Sequence, residues 1–270
     1  MNQQFRIRPL DSWVAAILAD PVTKLPARPA EFRTSDGAID ARVFLRHSPG
    51  FIAWQRGQSF YEQWQKRNAD DYRREIEGTR PVYEAISVAG RVLDVGGGAG
   101  TLRHFLPPGA EYISIDPFAD CLQHVTPAMR DAYACLSEPL NFISACAEFL
   151  PFQPASFDCV HMRSVIDHFQ SPDLALFEAR RVLKPNGKLI IGLWVDGGKS
   201  GKRPLKVALK EFARPMLVAA GFHRFKDHHI FHPTFSELKQ LVADCGFRVA
   251  EVYWQPQWDG QVCYLAAEPR

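Results

Sequence analysis

From position 91 onward the apolar residues fall into short unbroken runs separated by stretches of helical spacing. Arg91 to Val95, Tyr112 to Ile115, Asn141 to Ala145, Phe157 to Met162 and Lys188 to Val195 each read as a strand. The second closes at Asp116-Pro117, and Pro185-Asn186-Gly187 predicts a turn before the fifth. Unbroken apolar runs of this length predict strands buried on both faces, hence a mostly parallel sheet covered by helices on both sides. Residues 172–184 (PDLALFEARRVLK) and 234–245 (TFSELKQLVADC) have helical spacing, and Gly246 stops the second. The tail gives two more strands, Phe247 to Trp254 and Val262 to Ala267, expected to pair as an antiparallel hairpin at one sheet edge. Upstream, residues 59–77 predict an amphipathic helix with Ser59 as N-cap and Phe60, Trp64, Tyr72 and Ile76 on one face. A further helix through Pro81 to Ser87 leads into the first strand. Residues 1–58 are rich in Pro, Arg and turn signals and read as a separate arm before an α/β domain over 59–270.

Composition narrows the picture only slightly. The chain has 270 residues, 46% of them hydrophobic and 23% charged, with a net charge of +2, which excludes disordered and collagen-like classes. That balance gives no general reason to expect nucleic acid or an acidic membrane as partner. No apolar run reaches the length of a membrane span, and the N-terminus lacks the features of a signal peptide, so the expected compartment is the cytoplasm. Six cysteines without a CxxC pair read as reduced, buried thiols.

The candidate chemistry begins at Asp94-Val95-Gly96-Gly97-Gly98-Ala99-Gly100-Thr101, where a buried strand runs into a glycine-rich turn expected to open a helix. Glycines let backbone approach a ligand closely, and a helix N-terminus offers free N–H groups to an anion. The spacing is G-x-G-x-G with an acid two residues ahead, whereas a dinucleotide fingerprint wants glycine where Thr101 stands. Asp116, at the end of the second strand, suits a pair of ribose hydroxyls in either kind of site.

The DxGxGxG form resembles the first motif of class I S-adenosylmethionine (SAM)-dependent methyltransferases. The stretch AEFLPF at 147–152, then SFDCV, then EARRVLKPNGKLIIG, resembles the small-molecule branch of that family. The resemblance implies a Rossmann-like seven-stranded sheet with an antiparallel last strand, SAM as donor and S-adenosylhomocysteine as product. It implies that Asp94, Gly96, Gly97, Gly98 and Gly100 hold the methionine part and Asp116 the ribose. Pro117 and Phe118 follow that strand, with Phe118 a ring neighbour. Ala147 and Glu148 lie by the adenine, and Arg163 lines the methionine end. A competing NAD(P)-linked oxidoreductase would want a Tyr-x-x-x-Lys pair, and no tyrosine here has a lysine four residues on.

Methyl transfer from a sulfonium needs an aligned acceptor and, for a hydroxyl or ammonium, removal of a proton. His168, just past the fourth strand, is the candidate general base, and Asp167 is the second candidate. The acceptor is expected to be a small molecule such as a sugar, a secondary metabolite or a quinone-like ring. An RNA methyltransferase and a non-catalytic SAM-binding scaffold are the alternatives. Residues 196–232 read as a substrate lid with an apolar helix around 205–220. It carries a basic cluster (Lys199, Lys202, Arg203, Lys206, Lys210) and a histidine cluster (His223, His228, His229, His232) whose spacing matches no familiar ligand set, so no metal is expected. Residues 17–45, through DPVTKLP and SDGAID, resemble the small zinc-binding activator fold of some methyltransferases, with Asp20 where a zinc cysteine would stand. Covering the active site or homodimerisation is the expected role of this arm.

Overall fold

The computed structural model describes residues 7–35, 37–42, 66–202, 232–256 and 260–270, with positions 209, 212–214, 216, 219 and 229 between them. The five central strands stand where the apolar runs put them: β3 (Arg91–Val95), β4 (Glu111–Asp116), β5 (Phe142–Ser144), β6 (Phe157–Arg163) and β7 (Leu183–Trp194). The tail strands are β8 (Phe247–Trp254) and β9 (Val262–Pro269), and β9 runs antiparallel to both β7 and β8. The sheet has nine strands rather than seven, in the order β1-β2-β5-β4-β3-β6-β7-β9-β8. The two extra strands come from the N-terminal arm. β1 (Arg33–Ser35) and β2 (Ala38–Asp40) form a hairpin whose second strand pairs parallel with β5. At three residues each, they are too short to show any period in the sequence.

Alternation along each strand sorts side chains onto two faces. Leu93 and Val95 join Ile113, Ile115, Val160 and Met162 on one, under the helices α4 (Pro172–Val182) and α5 (Phe235–Asp244). Val92, Tyr112, Phe142 and Cys159 line the other, under α2 (Ala69–Ala85) and α3 (Pro127–Ala132). Burial of both faces is what allows strands without polar alternation. Among the described residues no helix is long and apolar enough to cross a membrane.

Three local expectations are corrected. α2 begins at Asn68, not at Ser59: Asn68 and Asp71 form a reciprocal capping box that satisfies the first N–H groups. Ser59, Phe60 and Trp64 lie outside the described residues. The separate helix expected through Pro81 is the end of α2 itself, which passes the proline and stops at Ala85. Pro185-Asn186-Gly187 lies inside β7 as an irregularity, where Phe157 pairs with Leu183 but Cys159 with Lys188. α5 has the expected start, with Thr234 and Glu237 as its capping box.

Residues 7–42 pack on the same core as the rest. The short helix α1 (Ser12–Ala16) brings Trp13 edge-on to Phe157 at 6.5 Å, and Leu18 bridges to Phe152. Asp20 shapes a turn: its Oδ1 accepts from the N–H groups of Val22 and Thr23, and these bonds, led by Thr23, hold its pKa below the ordinary carboxylate value. Lys24 Nζ then reaches Glu178 Oε2 at 2.5 Å, and Arg181 Nε holds Glu178 Oε1 at 2.7 Å. Burial pushes the Glu178 pKa up, but its bonds to Arg181 and Lys24 outweigh this and leave it lowered. A depressed carboxylate stabilises above its unfolded pKa, and this contribution is lost as pH falls through the folded value. Glu178→Gln is therefore expected to cost about 2 kcal/mol in urea unfolding at neutral pH. The difference from wild type should shrink below about pH 4.5; a gap unchanged there would rule out the ionic contribution.

Candidate active site

The strand order reverses between β3 and β6, and in open α/β sheets ligands bind outside the carboxyl ends of the strands at that switch point. The candidate donor-binding and catalytic residues stand at or next to those ends. Asp94 lies in β3 and the glycine loop follows it, Asp116 ends β4, Ala147 and Glu148 follow β5, Arg163 ends β6, and Asp167 and His168 follow it.

In the loop, Gly96, Gly98 and Gly100 have φ of +67°, +49° and +76°. A Cβ on Gly96 would lie 2.4 Å from Val165 Cγ1, so glycine lets the β6 turn close against the loop. A Cβ on Gly97 would strike the Asp94 carboxyl at 2.5 Å, while one on Gly98 would meet nothing nearer than Cys121 Sγ at 3.9 Å, so the loop opens at Gly98. After Gly100 the chain makes only a five-residue 3-10 turn, Thr101–Phe105, instead of the expected helix, so the anion site has less dipole behind it.

Asp94 points inward. Its Oδ2 accepts from Tyr112 Oη at 2.6 Å, its Oδ1 lies 2.7 Å from His161 Nδ1, and His161 Nε2 lies 2.9 Å from Tyr83 Oη. A proton on Nδ1 satisfies every group: Tyr83 donates to Nε2, and Nδ1–H donates to the carboxylate. Burial raises the pKa of both phenols well above the ordinary value, keeping them as donors. Sequence reading missed His161, Tyr83 and Tyr112. The available signal was register, because Asp94 and His161 are direct partners across β3 and β6.

Asp116 is buried, and its Oδ1 accepts from the Phe118 N–H at 2.9 Å. Phe118 is buried behind Pro117. Arg42, also missed, holds Asp40 in a two-pronged pair and donates from Nη1 to the Pro117 carbonyl at 3.0 Å, so the N-terminal arm supports this rim. Glu148 is buried beside Ala147, and its Oε1 accepts from the Gln170 N–H at 2.9 Å; burial nevertheless raises its pKa.

Across the cleft, Arg163 is paired with Glu75 of α2 at 3.2 Å, and Arg67 holds the other Glu75 oxygen at 2.7 Å. Burial opposes the Arg163 charge, but Tyr264, Tyr83 and Glu75 around it leave the pKa raised. Ser164 follows at φ +53°, an uncommon conformation that turns the chain into the 3-10 turn Ile166–His168. The His168 ring stacks on His229 with centroids 4.6 Å apart and planes at 30°, and His229 Nε2 lies 3.7 Å from Asp167 Oδ2. His232 stands edge-on to His229 at 5.3 Å. Asp167 Oδ1 is buried and has no hydrogen-bond partner among the described residues. The three groups could offer metal-ligand atoms within 4.8 Å of one another. Ring lone pairs lie in the ring plane, however, so stacked imidazoles direct theirs side by side rather than at one point. Of the remaining lid residues, Lys199 and Lys202 are exposed, while Arg203, Lys206, Lys210, His223 and His228 lie outside the described residues.

A family model described as a methyltransferase domain matches residues 44–252. An uncharacterized methyltransferase of Schizosaccharomyces pombe is 36% identical over 103 residues, 36% of this chain and 37% of that one. A ubiquinone/menaquinone biosynthesis C-methyltransferase of Erwinia tasmaniensis is 30% identical over 170 residues, 58% of this chain and 66% of that one. The chain thus spans less than two thirds of either relative. Among solved structures, a Burkholderia thailandensis 1,6-didemethyltoxoflavin-N1-methyltransferase with bound S-adenosylhomocysteine has a TM-score of 0.53 at 15% identity, covering 86% of this chain and 93% of that one. A SAM-dependent methyltransferase of Thermotoga maritima has 0.52 at 18%, covering 82% and 100%. The chain belongs to this methyltransferase-domain family and has the Rossmann-like fold of SAM-dependent methyltransferases.

Proposed function

We propose that this methyltransferase transfers the methyl group of SAM to an oxygen or nitrogen of a small-molecule acceptor that enters over His168. The family membership supplies the donor and the reaction class. The observation that carries the acceptor side is the cluster of Asp167, His168 and His229, whose first two members lie just past the end of β6, the strand beside β3 at the switch point.

The reading assigns the donor's methionine end to Gly96, Gly97, Gly98, Gly100 and Arg163, its ribose to Asp116, and its adenine to the rim of Phe118, Ala147 and Glu148. Asp94 acts through the loop: its oxygens serve Tyr112 and His161, and its carboxyl fills the space beneath Gly97. In the in-line displacement the acceptor heteroatom bonds to the methyl carbon as the bond to sulfur breaks, leaving S-adenosylhomocysteine. The proton of the acceptor passes to His168, whose imidazolium stacks on His229, with Asp167 paired to His229 behind it. The stacked His229 ring helps fix the orientation of His168, which matters as much as its basicity.

Calorimetric binding of S-adenosylhomocysteine to wild type and to Asp116→Ala tests the donor half. Loss of charge-assisted bonds to two hydroxyls is expected to weaken binding by about a hundredfold. Equal affinity would remove Asp116 from the site. Absence of binding to folded wild type, followed by binding of NADH, would overturn the donor assignment.

A further inference from the structure

The amino-acid end of SAM carries an α-ammonium as well as an α-carboxylate. An ammonium that leaves water needs an acceptor, and a carboxylate is the strongest one a protein offers. The acids at the carboxyl ends of β3 to β6 are engaged elsewhere. Asp94 faces inward, with Oδ2 on Tyr112 and Oδ1 on His161. Asp116 and Glu148 belong to the β4 and β5 side of the glycine loop, away from β6. Asp167 is turned to His229. Glu75 comes instead from α2 and meets Arg163. Arg163 follows Met162, which pairs with Val95, so it stands beside Gly96, the first glycine of the loop.

The Glu75–Arg163 pair differs from a sealed structural bridge in the same molecule. Arg42 grips both oxygens of Asp40, Nε on Oδ1 and Nη2 on Oδ2, each at 2.8 Å, and their side chains are 13% and 6% exposed. Arg163 gives Glu75 only Nη2, at 3.2 Å, and these side chains are 29% and 26% exposed. The other Glu75 oxygen is held by Arg67 at 2.7 Å. A carboxylate has about four acceptor positions and a guanidinium five N–H groups, so both members keep capacity for a ligand. We infer that Glu75 receives the α-ammonium of the donor while Arg163 takes its α-carboxylate, the ion pair between α2 and β6 being a template for an amino-acid zwitterion. Arg67, on the second oxygen, is a positioning residue that sets the direction of the Glu75 carboxylate. This inference rests on the function proposed above and on its assignment of Arg163. It makes α2 one wall of the donor site, and it explains how the ammonium is met although Asp94 is spent on Tyr112 and His161.

The test is calorimetric titration of the full chain and of Glu75→Gln with three ligands. They are S-adenosylhomocysteine, its deaminated analogue, which keeps the carboxylate, and methylthioadenosine, which has neither charge. Glutamine keeps an oxygen for a guanidinium but loses the negative charge. Glu75→Gln is expected to weaken S-adenosylhomocysteine at least tenfold and to leave the other two within about twofold. Should that variant unfold early, Glu75→Asp keeps the charge but withdraws it by one methylene. It is expected to weaken S-adenosylhomocysteine severalfold and again to spare the deaminated analogue. A loss shared by all three ligands would make Glu75 a structural tie, and unchanged S-adenosylhomocysteine affinity would remove it from the site; either overturns the inference. Weakening of S-adenosylhomocysteine and the deaminated analogue together, with methylthioadenosine spared, would mean that Glu75 serves the carboxylate through Arg163, and overturns the ammonium contact. In each of these cases binding of S-adenosylhomocysteine to wild type leaves the methyltransferase reading standing, whereas its absence from folded wild type would overturn both.

Discussion

Asp94→Leu is expected to destabilise the protein by about 3–5 kcal/mol, the usual consequence of removing one partner of a buried charged network. Tyr112 Oη and His161 Nδ1 would each lose their acceptor in a site that excludes water. The restored apolar volume does not offset this, because the unpaired hydroxyl and imidazole still carry their desolvation cost. For a chain of this size the melting temperature should fall by about 10 °C. Asp94→Asn should fall much less, since the amide keeps an acceptor for Tyr112 and the His161 ring can exchange its proton between nitrogens. Urea unfolding of the two variants checks the order, and an equal loss in both would mean that packing beneath Gly97 dominates. Affinity for S-adenosylhomocysteine should fall in Asp94→Leu, because the floor of the glycine loop goes with it.

His168→Ala is expected to lower kcat by about 10²–10⁴-fold, the ordinary contribution of a positioned general base. Donor affinity should stay near wild type, because the ring is held by its stack on His229 and the reading gives it no contact with the donor. The pH dependence separates roles. With His168 as base, the acidic limb of the kcat profile belongs to it and disappears in the variant. A variant that keeps the limb while losing rate would reduce His168 to a packing role and move the proton to Asp167. His229→Ala should fall between wild type and His168→Ala, since it removes a supporting ring and leaves the base in place.

The central strands were legible because each is a run of apolar residues ended by a turn signal. The donor cleft was legible for a related reason, since glycines and acids at strand ends leave a local signature. What the sequence concealed are contacts between distant segments. His161 sits in FDCVHM, where burial on both faces hides the alternation that would have marked it as facing Asp94. Arg42 carries no motif and matters only because β2 is laid beside β5. The start of α2 was misplaced because apolar spacing continues upstream of Asn68, and the capping box outweighs it.

The β1–β2 hairpin also dictates an order of events during synthesis. Ile39 leaves the ribosome early, yet its partner Ile143 follows roughly a hundred residues later. Until then the hairpin and α1 have no sheet to close on, and Leu18 must wait for Phe152 as well. This segment is thus made before the strands it joins and finds its place only after them, and the Arg42 brace on the donor rim forms with it. A nascent chain arrested before β5 would expose the apolar residues of α1 and the hairpin and be a natural client for a holding chaperone.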